Sequence, residues 1–159
     1  MAGLVHDGLM LLALAGFAAL AIIDFWTLRI RNLHVLGMIV LAAAVLALRS
    51  RDMLVPDLAA GGLLFALGFV FWLLGMMGAG DAKLYLPLGV LIGWPGLAVF
   101  ALLLLPVSLL VLILIRTGGR WLPAGRLAAR VADLSRSRRI PYGVPMALAA
   151  MGAIISRWL

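Results

Sequence analysis

Apolar runs recur along the chain from Leu9 to Ile155, separated only by short polar breaks, so the hydrophobic pattern is that of successive long helices. About 20 apolar residues cross a bilayer core. On that ruler a first span covers residues 4–23 and is followed at once by Asp24-Phe25-Trp26, whose aromatics suit a membrane interface. A second, somewhat short span covers 33–48 and a third covers 58–77, with Asn32 and Asp57 placed to act as helix N-caps. Residues 84–115 form one long apolar stretch, which the turn-like breaker Gly93-Trp94-Pro95-Gly96 divides into two helices. The first of these, 84–92, is too short for an ordinary crossing, so a thinned, tilted or partly re-entrant segment is expected there. A final span covers 142–155. The pattern predicts an all-α integral membrane protein of about six transmembrane helices.

Composition sharpens this reading. The 159 residues are 66% hydrophobic and 12% charged, more apolar surface than a soluble domain of this size buries, and lipid must cover the excess. No separate soluble domain is expected, and residues 1–159 read as a single transmembrane domain. The first span is read as a retained helix, because no basic residue precedes it and Asp7 stands where a signal peptide carries positive charge. The absence of cysteine excludes disulfides, thiol catalysis and cysteine zinc sites, and His6 and His34 are too few for an independent metal centre. Neither cofactor nor metal is expected.

The net charge of +7 arises from thirteen basic residues, twelve of them arginine, against six aspartates and no glutamate. The arginines sit between apolar spans, where anionic lipid headgroups account for them better than nucleic acid does. Seven arginines and one aspartate fall between Arg116 and Arg139, which assigns that loop to the inside and to headgroup contact. With the hairpin at residues 93–96, both termini lie outside and the internal loops carry ten of the thirteen basic residues. Arg49, Arg51 and Arg157 are left outside.

Few acids remain to be explained. Asp24 closes the first span and Asp81 follows the third, so two crossings separate them and they share a face. Asp7, Asp52, Asp57 and Asp133 read as ordinary surface, cap or loop residues. Asp81 lies in Gly78-Ala79-Gly80-Asp81-Ala82-Lys83, where Gly78 and Gly80 remove side-chain bulk beside the acid and free the backbone. Peptide hydrolysis by two carboxylates needs one to take a proton from water while the other donates to the scissile carbonyl, and a close pair sharing a proton supplies both. A backbone free of side chains also suits an extended substrate added as a strand. Lys83, the sole lysine, reads equally as orienting Asp81 or as marking the membrane edge. His34 reads as an interfacial or packed residue.

These residues resemble the type IV prepilin peptidases, membrane aspartyl proteases that carry a Gly-x-Gly-Asp motif. The segment from Asp24 to Asn32 is similar to the family's first aspartate segment, with Arg31 in place of a proline before Asn32. Gly78 to Leu84 resembles the second aspartate motif, and Ile140-Pro141-Tyr142-Gly143 resembles the entry into the last helix. The resemblance implies that Asp24 and Asp81 are the catalytic pair, with Gly78 and Gly80 shaping the second motif. It implies removal of a short basic leader from pilin-like precursors on the cytoplasmic side of a bacterial inner membrane. Lacking cysteine and an N-terminal cytoplasmic region, the chain is similar to the small peptidase-only members found with tight-adherence (Flp) pilus systems, for which methyl transfer is not expected. The rival from another class is a small transporter or channel component whose membrane-edge aspartates take protons or cations. Two structural expectations follow. The carboxylates share one end of the protein without needing to touch, and Gly80→Val reduces cleavage by crowding the substrate path with little loss of folded protein.

Overall fold

The computed structural model describes residues 2–118, 122–137 and 139–157. Among them the chain is helical, with α1 (Ala2–Thr27), α2 (Asn32–Ala47), α3 (Arg51–Leu73), α4 (Ala79–Thr117), α5 (Arg126–Ser137) and α6 (Gly143–Ile155). Three helices, Gly3–Thr27 within α1, α3 and α4, are long and apolar enough to cross a membrane, and α2 and α6 are shorter apolar helices. Leu4, Leu11, Val40, Leu63, Leu102 and Leu105 are among the many large apolar side chains left exposed around the outside. A surface of that kind is stable against lipid and not against water.

The helix α4 is broken at Gly93, which has φ 68° and ψ 172°. Glycine alone adopts this conformation without strain. The break reverses the chain, because the rings of Tyr85 and Phe100 pack edge to face with centroids 6.2 Å apart. Fifteen residues of unbroken helix would hold them ~22 Å apart at 1.5 Å per residue. The expected breaker is therefore a hairpin with arms 79–92 and 94–117, and Pro95 sits in the first turn of the second arm, where its missing N–H removes no helical bond. Six apolar helical segments result.

The first arm forms the centre of the molecule. Leu84, Tyr85, Leu88, Val90, Leu91 and Ile92 are all buried, enclosed by Phe17 and Leu20 of α1, Met38 and Val45 of α2, Leu64 of α3, and Met146, Ala150 and Ile154 of α6. Protein surrounds this arm, so its brevity does not set a lipid-facing helix against the bilayer thickness. It lies antiparallel to α3 at very close range. A Cβ built on Gly89 would meet Ala60 O and Gly61 Cα at 2.6 Å, and one on Gly61 would meet Leu86 O at 2.9 Å. Small residues are what permit two helix backbones to approach so closely inside a membrane.

Several expectations are corrected. The third helix begins at Arg51 and ends at Leu73, several residues before the expected 58–77 at both ends. Its end is a Schellman motif, in which Gly75 has φ 71° and the amides of Gly75 and Met76 donate to Trp72 O and Phe71 O at 3.0 and 2.9 Å. Asn32 is the first residue of α2 and not its cap, since Arg31 occupies the cap position without a side-chain cap bond. Asp57 is not a cap either. It lies inside α3 and is fully buried, accepts from Arg49 Nη1, and accepts from the Trp94 amide at 3.2 Å. A charged partner and an amide at the hairpin tip hold this carboxylate better than water at a helix start would.

The arginine-rich 116–139 stretch is also not simply a loop. Within it, residues 119–121 and 138 lie outside the described residues, but 126–137 form α5, which buries Val131 and Leu134. Leu134 packs with Val111 and Ile115 of the second arm, against Phe25, Leu28 and Val144. Leu127, Val131 and Leu134 fall at i, i+4 and i+7, the spacing of one apolar helix stripe. Arg130 of α5 donates from Nε to Phe25 O at 2.9 Å and pairs through Nη1 with Asp133 at 2.9 Å. This arginine is therefore spent inside the protein and is not available to a headgroup.

Candidate active site

Asp24 occupies the last turn of α1 and is only 4% exposed. The Leu28 amide closes that turn by donating to Asp24 O at 2.8 Å, and Leu28, with φ 52°, turns the chain out of the helix. The Asp24 carboxylate points into the protein, where Oδ2 accepts from the Gly143 amide at 2.7 Å. Gly143 is the first residue of α6, so the acid lies at a helix N-terminus, whose free amides favour a negative partner. Glycine is needed here because a Cβ would stand 2.8 Å from Asp24 Oδ2 and 3.0 Å from its Cβ. In the sequence Gly143 is only part of a landmark, and its role as partner of Asp24 is not visible there.

Asp81 lies in the first turn of α4, following Gly78, the cap residue in extended conformation with φ −69° and ψ 147°. Its carboxylate folds over Gly78, where an added Cβ would be 3.1 Å from Oδ2. Asp24 and Asp81 face one cavity of about 420 Å3, lined also by Leu28, Gly78, Arg139, Ile140 and Tyr142. Three helix termini, the end of α1 and the starts of α4 and α6, thus converge on a single space containing two carboxylates. As expected, the acids share one end of the molecule. A second cavity of about 470 Å3 continues from Asp81 between Gly78-Ala79-Gly80 and the segment from Leu28 to Asn32 at the start of α2, with Arg29 and Arg31 on its wall. A roomier space of about 610 Å3 beside α5 is lined, among the described residues, by apolar side chains, Thr117 and Gly118. The two carboxylates lie in the smaller cavities instead. Among the described residues no three His, Cys, Asp or Glu side chains gather as a metal site would require.

The other motif residues have distinct positions. Lys83 Nζ donates to Asn32 Oδ1 at 3.2 Å, tying the start of α4 to the start of α2. Of the two readings of Lys83, orientation of Asp81 is not what the structure shows. Gly80 packs against the segment after α1, and a Cβ there would meet Ile30 O at 2.5 Å. The expectation that Gly80→Val spares the folded protein is therefore corrected, since the first clash is with backbone of the resting chain. Gly80→Val is expected to lower folded yield and cleavage together, measured by size-exclusion recovery in detergent and by activity per folded molecule. Full recovery of monodisperse protein would show that the Ile30 contact yields easily.

An all-helical protein with a lipid-suited exterior and two carboxylates enclosed at one end defines a membrane protein built around an acidic site. The family comparison gives that class its name: the model of the type IV leader peptidase family matches residues 11–116. The chain belongs to this family, and its activity class is that of a peptidase. The matched region contains both Asp24 and Asp81. No curated protein and no solved structure matches the chain.

Proposed function

We propose that the protein is an aspartyl endopeptidase of the bacterial inner membrane that removes the short basic leader from prepilin-like precursors, Flp pilins or pseudopilins, with Asp24 and Asp81 as its catalytic pair. The observation that carries this reading is the convergence of these two acids on one cavity. One carboxylate, ionised, takes a proton from the attacking water, and the other, protonated, donates to the scissile carbonyl. Collapse of the tetrahedral intermediate breaks the C–N bond, and the departing amine receives a proton from the pair. Two acids facing one cavity disfavour joint ionisation, so this mechanism has the pair hold one proton between them. The Gly143 amide fixes Oδ2 of Asp24.

The membrane orientation rests on charge. The end bearing the cavity also carries Arg29, Arg31, Lys83, Arg130 and Arg139, whereas Arg49 and Arg157 gather at the hairpin tip near Gly93. The positive-inside rule supports a cavity at the cytoplasmic face, with six crossings and both termini outside. Exposed arginines of the 116–139 segment meet anionic headgroups. The family assignment favours a peptidase over the transporter reading.

Co-expression with a candidate prepilin, followed by a gel, tests the proposal: a shortened product that appears only with the intact protein supports it, and an unshortened precursor across a panel of Flp pilins and pseudopilins overturns it. Because the chemistry uses carboxylates and water, cleavage by purified protein is expected to persist in chelators and thiol reagents. Inhibition by a chelator that added zinc reverses would contradict the carboxylate mechanism.

A further inference from the structure

The end of the molecule opposite the cavity contains a second polar centre. The first arm of α4 stops at Gly93, leaving its last carbonyls without helical partners. Two arginines supply them: Arg49 Nη2 donates to Leu91 O at 3.2 Å, and Arg157 Nη1 donates to Ile92 O at 2.7 Å. Asp57 pairs with Arg49 and accepts the first amide of the returning arm, Trp94 N. The Arg49 and Asp57 side chains are 7% and 0% exposed. A Cβ on Gly93 would strike Asp57 Oδ1 at 2.5 Å and Arg157 Nη1 at 2.7 Å. The polar groups named here at the hairpin tip therefore draw their partners from α3, from the turn after α2 and from the segment after α6.

This centre lies on a rigid path to Asp81. The first arm runs from the tip to the cavity, about 11 residues or ~17 Å of helix. Along that length it is packed closely on α3, and near the cavity end a Cβ built on Gly68 of α3 would stand 3.3 Å from Ala82 Cα and O. A helix held at one end by charge-assisted bonds, and against its neighbour without side-chain slack, cannot slide or rotate alone. We propose that Asp57, Arg49 and Arg157 are positioning residues for peptide cleavage: by fixing the tip of the hairpin they set the depth and rotation at which Asp81 meets Asp24. The role in cleavage rests on the peptidase reading above, whereas the mechanical link does not.

The test uses the full-length protein in detergent or nanodiscs, with Asp57→Asn, Arg49→Gln, Arg49→Lys and Arg157→Gln. The chain has no cysteine, so Ala79→Cys introduces a unique thiol beside Asp81, and Ala129→Cys on α5 provides a control. Opening the tip is expected to change the rate of labelling at position 79 by a water-soluble maleimide ~3-fold or more, leave position 129 unchanged, and lower kcat ~10-fold with KM nearly constant. Arg49→Lys keeps a cation beside Asp57 and is expected to recover more kcat than Arg49→Gln. Should Asp57→Asn lose folded protein, Arg157→Gln, which frees only the Ile92 carbonyl, carries the same readouts. Labelling at 79 unchanged together with wild-type kcat, or activity lost only in proportion to folded protein, overturns the proposal. If the wild-type protein cleaves no precursor, the peptidase reading fails, and labelling at 79 alone decides whether the tip controls the position of Asp81.

Discussion

Asp24→Asn and Asp81→Asn are each expected to reduce precursor cleavage roughly 10²–10⁴-fold, the range that a positioned acid or base contributes. An amide is nearly the size of a carboxylate, so the cavity keeps its shape. In Asp24→Asn the Gly143 amide still finds an oxygen acceptor, the carbonyl of the new side chain. What is lost is the shared proton, because an amide neither takes nor gives one at neutral pH. On the proposed reading the two acids act as a unit, and the double variant is expected to be little worse than either single variant. Rates of leader removal, normalised to folded protein by circular dichroism, decide the matter. A single variant that retains a tenth or more of the activity would remove that residue from the catalytic pair.

The second large effect concerns folding. Gly89→Val places two methyl groups where even a Cβ stands 2.6 Å from Ala60 O and Gly61 Cα. Neither obstacle is a flexible side chain, so α3 and the first arm must separate along their length. Overpacking of this kind typically costs roughly 1–3 kcal/mol and sometimes more, and here it falls on the most enclosed helix. Folded yield and thermal inactivation in detergent should both drop sharply. Gly62→Ala supplies the contrast, because a Cβ there meets nothing within 4 Å. If Gly89→Val and Gly62→Ala behave alike, the close α3–α4 contact is not what holds the protein together.

Much of this arrangement is legible in the sequence, and the parts that are not share a cause. Residues facing lipid must be apolar, so the helices announce themselves, and Gly93 with Pro95 marks the reversal inside an otherwise unbroken run. Asp81 stands out because glycines precede it. Apolar periodicity says little, however, when nearly every position is apolar, and nothing local distinguishes the buried first arm from the exposed second. Asp57 looks like a helix cap because its partners, Arg49 and Trp94, belong to other segments. The α5 stripe of Leu127, Val131 and Leu134 is readable in the spacing, but the surrounding arginines turn attention to charge instead. The bond between Asp24 and Gly143 spans 119 residues, beyond the reach of any motif.

That same bond imposes an order on synthesis. Asp24 is made early, but its amide partner follows 119 residues later, roughly ten seconds at ordinary translation rates. Until then the end of α1 has no α6 beside it, and the cavity lacks the Ile140 and Tyr142 wall. A nascent chain that already holds both acids is therefore not yet a protease. On the proposed reading, the carboxylates become a working site only when the last helix closes over the first.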